Sequence, residues 1–150
     1  MRVFTSGCFD GLHWGHISFL QRARALGDSL IVAIDSDETA RRLKGPGRPA
    51  CSAEQRMAML RQLRSVDCVL VFEHDPYSLI EFLKPDIVVK GSEYGRDAPE
   101  CALIESLGGR FVVLESLPIH TTDFISRTEQ LEAEIRRLRQ NMGYTEAVCE

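Results

Sequence analysis

Residues 6–16 of this chain read Ser6-Gly7-Cys8-Phe9-Asp10-Gly11-Leu12-His13-Trp14-Gly15-His16. They follow residues 2–5, which predict a first β-strand, and they lead into a helical pattern over 16–26. Three glycines in nine residues favour a tight turn that lets the backbone approach a ligand closely. A turn that feeds a helix N-terminus binds anions, because free backbone N–H groups and the positive end of the helix dipole meet there. His13 and His16 lie one helical turn apart, so both can face that point and donate hydrogen bonds to phosphate oxygens.

Outside this loop, strand-like apolar runs alternate with helical segments, which is typical of a parallel α/β sheet. The further predicted strands are 30–34, 67–72, 87–89 and 111–114. The further predicted helices are 37–43, a helix capped by Ser52 that ends at Leu63, and 77–83. We therefore expect a Rossmann-like, doubly wound five-stranded parallel sheet flanked by helices, with an additional C-terminal helix. Ligands of such sheets bind outside the strand carboxyl ends, near the point where the strand order reverses.

The composition is that of a globular protein, with 150 residues of which 44% are apolar and 27% charged. The net charge of −4 argues against a nucleic-acid partner, since such proteins carry a basic excess. The longest wholly apolar runs span five residues, whereas a membrane span needs about 20, so we expect no membrane association. The five cysteines form no CxxC pair, which favours reduced thiols and a cytoplasmic protein. We expect Cys8 to be accessible and Cys68 to lie in the core.

The C-terminal residues 122–142 form a charged helical pattern with a short heptad-like seam. Its apolar members are spaced by four, three and four residues: Leu131, Ile135, Leu138 and Met142. Two interpretations stay open, packing of this seam on the same chain or pairing with a second subunit. We take a homodimer as the expectation, and we expect residues 143–150 to be frayed.

The motif Gly7-x-Phe9-Asp10-x-x-His13-x-Gly15-His16 resembles the nucleotidylyltransferase signature GxFDxxHxGH, in the strand–loop–helix setting of that superfamily. Its members transfer a nucleoside monophosphate from a nucleoside triphosphate to a phosphorylated acceptor and release pyrophosphate. The pattern is neither a GxGxxG fingerprint nor a P-loop. A zinc site at Cys8, His13 and His16 is disfavoured, because no further ligand follows at a suitable spacing.

The resemblance is greatest to the adenylyltransferase domain of bacterial heptose 1-phosphate adenylyltransferases. It is carried by Leu43-Lys44-Gly45, Arg48-Pro49, Glu54-Gln55-Arg56-Met57, Asp86 with Val89-Lys90-Gly91-Ser92-Glu93-Tyr94, and Gly108-Gly109. Glu93 stands where that family usually has Asp, and His120 replaces the serine of its Ser-Thr-Thr segment. The similarity implies a nucleotidylyltransferase domain over residues 1–127 and a helical extension with a tail over 128–150. It also implies a separate upstream kinase, since these residues hold no counterpart of the kinase half.

The resemblance implies the roles of individual residues. The catalytic candidates are His13, His16 and Lys44. The nucleotide-binding candidates are Ser6, Gly7, Cys8, Phe9, Gly15, His16, Lys90, Gly91, Glu93, Tyr94, Thr121 and Thr122. The substrate-binding candidates are Asp10, Arg48 and His120. We expect no dedicated protein metal site, because Mg²⁺ is carried with the ATP by phosphate oxygens and water.

The reaction implied is transfer of AMP from ATP to D-glycero-β-D-manno-heptose 1-phosphate, giving ADP-heptose and pyrophosphate. A cytidylyltransferase that acts on CTP and glycerol 3-phosphate is the alternative, because those relatives share His13-Trp14-Gly15-His16. They normally carry an arginine just before the Ser-Thr-Thr segment, and residues 115–118 hold none. A non-catalytic nucleotide-binding module is a second alternative, which the intact histidines and Lys44 disfavour.

Overall fold

The computed structural model describes residues 1–117 and 121–141, and within the last helix the side chains of 126–138. Five strands alternate with six helices along these residues. The strands are β1 (Arg2–Gly7), β2 (Ser29–Asp35), β3 (Cys68–Phe72), β4 (Ile87–Gly91) and β5 (Arg110–Leu114). The helices are α1 (Trp14–Arg24), α2 (Asp37–Lys44), α3 (Ala53–Arg61), α4 (Tyr77–Leu83), α5 (Pro99–Ser106) and α6 (Thr121–Asn141).

The five strands form one sheet in the order β3-β2-β1-β4-β5, and every neighbouring pair is parallel. The chain builds outward from β1 to β3 and then returns to place β4 on the other side of β1. The topological switch point therefore lies between the carboxyl ends of β1 and β4, where a ligand crevice is expected. The predicted fold class, a doubly wound parallel α/β sheet, is confirmed.

Helices cover both faces of the sheet because alternate residues of a strand point to opposite sides. On one face, Val3 belongs to an apolar cluster with Leu20 of α1 and Leu60 of α3. On the other face, Phe4 belongs to a cluster with Ile80 of α4 and Ile104 of α5. All six of these side chains are at most 1% exposed. This double cover leaves the carboxyl edge of the strands as the place for polar groups.

The predicted start of α3 is confirmed in atomic detail. The Ser52 hydroxyl accepts a hydrogen bond from the Gln55 N–H, and the Gln55 side chain accepts one from the Ser52 N–H. This capping box satisfies two backbone donors that the first helical turn leaves without a partner. It also fixes the point at which the chain leaves the loop after α2 and enters α3.

Helix α1 begins and ends two residues earlier than the predicted 16–26, and α3 ends two residues before Leu63. Three further details differ from the sequence expectations. Helix α5 is not predicted, because Ala98 at its N-cap offers no side-chain cap and proline alone marks its start. Cys68 is exposed rather than buried, since β3 is an edge strand. Cys8 is buried rather than accessible, because the fully buried Arg56 lies against it.

The contacts divide the chain into two compact units, Met1–Pro118 and Ile119–Glu150. The described part of the second unit is α6, and Met142 lies outside the described residues. The domain boundary after residue 127 stays a prediction. Within residues 1–117 and 121–141, none of the helices combines the length and apolar character that a membrane crossing needs.

Candidate active site

The two histidines of residues 6–16 stand at the start of α1, directly beyond the carboxyl end of β1. His13 is the N-cap of the helix, and its Nδ1 accepts a hydrogen bond from the Gly15 N–H at 3.1 Å. The His13 and His16 rings stack with centroids 3.9 Å apart and an angle of 27° between their planes. Because Nδ1 of His13 accepts, a neutral His13 carries its proton on Nε2. The helix N-terminus and the His13 imidazole thus lie together at this point.

The signature loop, which we define as residues 8–13, folds back on itself through two residues of left-handed backbone. Phe9 has φ of 50° and Gly11 has φ of 65°. The buried ring of Phe9 lies 5.3 Å from the His16 ring, centroid to centroid. It also lies against Gly7, where a Cβ atom would be 3.3 Å from the Phe9 side chain. The left-handed backbone of Phe9 therefore goes with an apolar contact to the His16 ring.

Asp10 ties the signature loop to the loop between α2 and α3. Its carboxylate accepts hydrogen bonds from the Ala50 and Cys51 N–H groups at 2.9 and 3.0 Å and pairs with Nε of Arg48 at 2.8 Å. The residue is 2% exposed. Burial by itself would raise the pKa of this carboxyl, but the two backbone donors and Arg48 outweigh it and hold the pKa below its usual value. Asp10 is thus a charged anchor of the loop.

Arg56 of α3 also binds the signature loop and is 0% exposed. Its Nη1 donates to the Cys8 carbonyl at 2.8 Å and its Nε to the Cys51 carbonyl at 3.0 Å. Its Nη2 donates to the Asp37 carboxylate at 2.8 Å. One buried guanidinium therefore joins the signature loop, the loop before α3 and the start of α2.

Lys90 crosses the switch point from the end of β4. Its ammonium donates to the Ser6 carbonyl at 3.2 Å and pairs with Glu100 of α5 at 2.9 Å. Both Lys90 and Glu100 are nearly fully buried. The ammonium also lies 4.7 Å from the centroid of the Tyr94 ring. The carboxyl ends of β1 and β4 are thereby fixed relative to each other.

The β4 loop, which we define as residues 92–98, is held to the segment after β5. The Ser116 hydroxyl donates to the Glu93 carboxylate, and the Ser116 N–H donates to the Ser92 hydroxyl at 3.0 Å. The Glu93 carboxylate and the Ser116 hydroxyl fill the space that a side chain at Gly91 would need. Tyr94 is 52% exposed, so one side of its ring is open to a ligand.

Two further polar atoms at this edge are buried. The Ser6 hydroxyl and Nη2 of Arg48 have no hydrogen-bond partner within the described part of the chain.

Lys44 is exposed at the end of α2. Burial raises the pKa of the Cys8 thiol, and the positive charges of Lys44 and Arg56 partly offset that rise. Lys44 is therefore close enough to act electrostatically on the signature loop.

The fold thus gathers most of the predicted site residues at the carboxyl edge of β1 and β4. His120 lies outside the described residues, and so do the side chains of Thr121 and Thr122 at the start of α6. The position of Arg56 one turn into a helix predicts a structural ion pair, and its pair with Asp37 confirms that prediction. The anchoring roles of Asp37 and Glu100 were not predicted. Over residues 1–117 and 121–141, the structure brings together no set of three His, Cys, Asp or Glu side chains suited to holding a metal ion.

Comparison with known proteins finds matches over most of the chain. The family model described as cytidylyltransferase-like matches residues 4–136. The bifunctional protein HldE of Pseudomonas syringae pv. syringae is 52% identical over 114 residues, which are 75% of this chain and 24% of that protein. The bifunctional protein HldE of Alcanivorax borkumensis is 45% identical over 131 residues, 85% of this chain and 28% of that protein. The chain thus spans about a quarter of the length of these curated relatives.

Solved structures agree on the fold. The lipopolysaccharide core biosynthesis protein of Thermoplasma volcanium aligns with a TM-score of 0.67 and 30% identity, over 80% of this chain and 98% of that one. Pantothenate synthetase of Thermus thermophilus aligns with a TM-score of 0.54 over 77% of this chain and 56% of that one. At 16% identity the second likeness concerns the fold alone.

Proposed function

The chain belongs to the cytidylyltransferase-like family, and on that premise we propose that it is a nucleotidylyltransferase that makes ADP-heptose. The reaction is transfer of AMP from ATP to D-glycero-β-D-manno-heptose 1-phosphate, with release of pyrophosphate. The observation that carries the proposal is the stacked His13–His16 pair at the N-terminus of α1, on the switch point of the sheet. The matches to bifunctional HldE proteins support the heptose substrate that the sequence resemblance implies.

The chemistry requires no covalent enzyme intermediate. A phosphate oxygen of the acceptor attacks the α-phosphorus of ATP in line, a new P–O bond forms, and the bond to the leaving pyrophosphate breaks. Catalysis then consists of positioning the two reactants and stabilising the charge that develops on the α-phosphoryl oxygens. His13, His16 and the backbone N–H groups at the start of α1 lie where donors to those oxygens are needed.

Two cations flank this centre in the proposal. Lys44 acts as a point charge on the triphosphate, because its exposed ammonium is free to reach a ligand at the signature loop. Arg48 contacts the acceptor phosphate through Nη2, while its Nε stays paired with Asp10. Asp10 then contributes to acceptor binding by orienting Arg48.

The nucleoside lies between the end of β1 and the β4 loop in this account. The open face of Tyr94 offers a stacking surface for the base, and the Ser6 hydroxyl offers a polar contact to the nucleotide. Lys90 acts through the Ser6 carbonyl and the Tyr94 ring. Glu93, Thr121, Thr122 and His120 complete the proposed set by resemblance to the family pattern.

We also propose a metal ion, a cellular compartment and an oligomeric state. Mg²⁺ would accompany the ATP, held by triphosphate oxygens and water, and its positive charge would offset the charge on the leaving pyrophosphate. The protein acts in the cytoplasm, and the four cysteines of the described residues are free thiols, as a reducing compartment requires. It acts as a homodimer.

CTP-dependent transfer to glycerol 3-phosphate is the second candidate. Trp14 of the His-Trp-Gly-His sequence favours it, because those relatives share this tryptophan and its side chain is 61% exposed beside the histidine pair. An exposed indole at that position is available to contact a small acceptor.

The decisive assay is pyrophosphate release with Mg²⁺, crossing ATP, CTP, GTP and UTP with heptose 1-phosphate and glycerol 3-phosphate. The proposal expects turnover for ATP with the heptose. Turnover restricted to CTP with glycerol 3-phosphate would support the second candidate. Nucleotide binding without turnover for any of the pairs would contradict the ADP-heptose assignment.

A further inference from the structure

Helix α6 carries an apolar stripe that is half exposed. Leu131, Ile135 and Leu138 are 51%, 48% and 48% exposed. They follow one another at intervals of four and three residues, which puts them on one face of the helix. The other described side chains of this helix are exposed as well, and most are charged or polar. Such a stripe within a charged helix is typical of a surface that pairs with another helix.

The identities along the stripe select one kind of pairing. In a heptad register, Thr128 and Ile135 occupy the a positions, and Leu131 and Leu138 occupy the d positions. In parallel coiled coils, a β-branched aliphatic residue such as Ile135 at a, combined with leucine at d, favours two strands over higher assemblies. The stripe therefore fits a single partner helix.

The flanking charges fit a second copy of the same helix. Arg127 and Glu134 occupy the g positions, and Glu132 occupies the e position between them. In a parallel pair, a g residue meets the e residue five positions later on the other helix, so Arg127 faces Glu132 of the second copy. The sequence repeats this pattern with reversed signs at Glu134 and Arg139.

The opposite orientation is less favourable. An antiparallel pair that stacks Leu131 on Ile135 would bring Glu132 near Glu132 and Glu134 near Glu134 of the second copy. Like charges at these positions repel. Charge complementarity thus points to self-pairing in parallel.

We propose that α6 forms a parallel, in-register, two-stranded coiled coil with α6 of a second copy of this chain. Most of the stability of helices in proteins comes from packing of an amphipathic face, so pairing stabilises α6 and dimerisation depends on protein concentration. The inference rests on α6 alone and does not depend on the catalysed reaction.

Charge reversal in the full chain provides the first test, with sedimentation velocity over a wide concentration range as the measurement. Glu132→Arg places like charges opposite each other twice in the dimer and should raise its Kd about tenfold. Arg127→Glu combined with Glu132→Arg restores opposite charges and should restore the Kd. Glu129→Arg makes the same change in charge at a position that faces away from the seam, and should leave the Kd unchanged. Thermal unfolding of each variant checks that the fold is intact.

Disulfide trapping provides the second test and fixes the orientation. Thr128→Cys should form a disulfide-linked dimer under mild oxidation, because equal a positions adjoin in a parallel, in-register pair. Ser126→Cys, at the outward f position, should form no more dimer than the parent chain with its native cysteines. The proposal is overturned if the chain is monomeric throughout, if Glu132→Arg and Glu129→Arg have equal effects, or if Thr128→Cys fails to cross-link above the parent level.

Discussion

The signature loop and the β4 loop follow the two strands that flank the switch point, but they are held in place differently. Buried charges hold the signature loop, since Asp10 is 2% exposed and Arg56 0%. The β4 loop is tied through exposed hydrogen bonds to Ser116. Its Tyr94 ring is half exposed.

The two loops therefore meet different requirements within one site. Phosphate transfer needs donors that are fixed before the reaction, because only a preorganised group stabilises the developing charge without a reorganisation cost. A buried ionic frame provides that rigidity for the signature loop. Recognition of a base or an acceptor tolerates adjustment, and the exposed β4 loop is suited to it.

The largest effect is expected at the histidine pair. His13→Ala or His16→Ala should lower kcat about 10²–10³-fold, as loss of one preorganised donor does in other enzymes. Steady-state kinetics with saturating substrates measure it. His74→Ala, which removes an exposed histidine after β3, is the matched control and should leave kcat unchanged. Full turnover by both signature variants would mean that the loop does not contact the reacting phosphate.

The next largest effect is expected at Arg56. Arg56→Met should lower the free energy of unfolding by about 3 kcal/mol, because two carbonyl oxygens each lose a charge-assisted hydrogen bond of about 1.5 kcal/mol. Urea unfolding measures the change. Arg61→Met, on an exposed position of the same helix, should cost less than about 0.5 kcal/mol. Equal losses in the two variants would show that the buried hydrogen bonds of Arg56 do not stabilise the signature loop.

A smaller effect, visible in its pH dependence, is expected at Asp10. The pKa of this carboxyl is held below its ordinary value in the folded protein. Its ionised form therefore contributes stability at neutral pH, and that contribution is lost as the pH falls from about 3.9 through the folded pKa. Asp10→Asn should lower stability at pH 7 by about 1–3 kcal/mol and remove this part of the acid dependence. Urea unfolding at several pH values follows it, with Asp75→Asn as an exposed control. Parallel stability curves for Asp10→Asn and the parent chain would contradict the assignment.

The smallest effect on stability is expected in the β4 loop. Glu93→Ala should change the free energy of unfolding by less than about 0.5 kcal/mol, since the bond it removes is exposed. It should instead change the KM for the nucleotide, because the loop loses its tie to Ser116. Thermal unfolding and steady-state kinetics separate the two quantities. A large loss of stability would show that both loops are rigid and would remove the contrast.

Much of this arrangement could be predicted from the sequence. Apolar runs and helical periods predicted each of the five strands, and Ser52 marked the start of α3, because these signals are local. The residues of the signature motif were also found locally, since they are contiguous. Helix α5 was missed because Ala98 supplies no capping side chain.

The frame around the site could not be predicted in the same way. A position one turn into a helix allows an ion pair for Arg56, but only the fold identifies its partners, Cys8 and Asp37. Glu100 becomes a partner of Lys90 only because α5 crosses from β4 to β5 and delivers it to the switch point. Such pairs depend on the three-dimensional arrangement, and one sequence carries no periodic signal for them.

AMP transfer at the histidine pair is tested by following labelled phosphates of ATP in the presence of heptose 1-phosphate and Mg²⁺. We expect an α-phosphate label to enter the sugar nucleotide and a γ-phosphate label to leave as pyrophosphate. His16→Ala should slow both transfers together. Appearance of the γ-phosphate label in the sugar product, or an undiminished rate in His16→Ala, would contradict it.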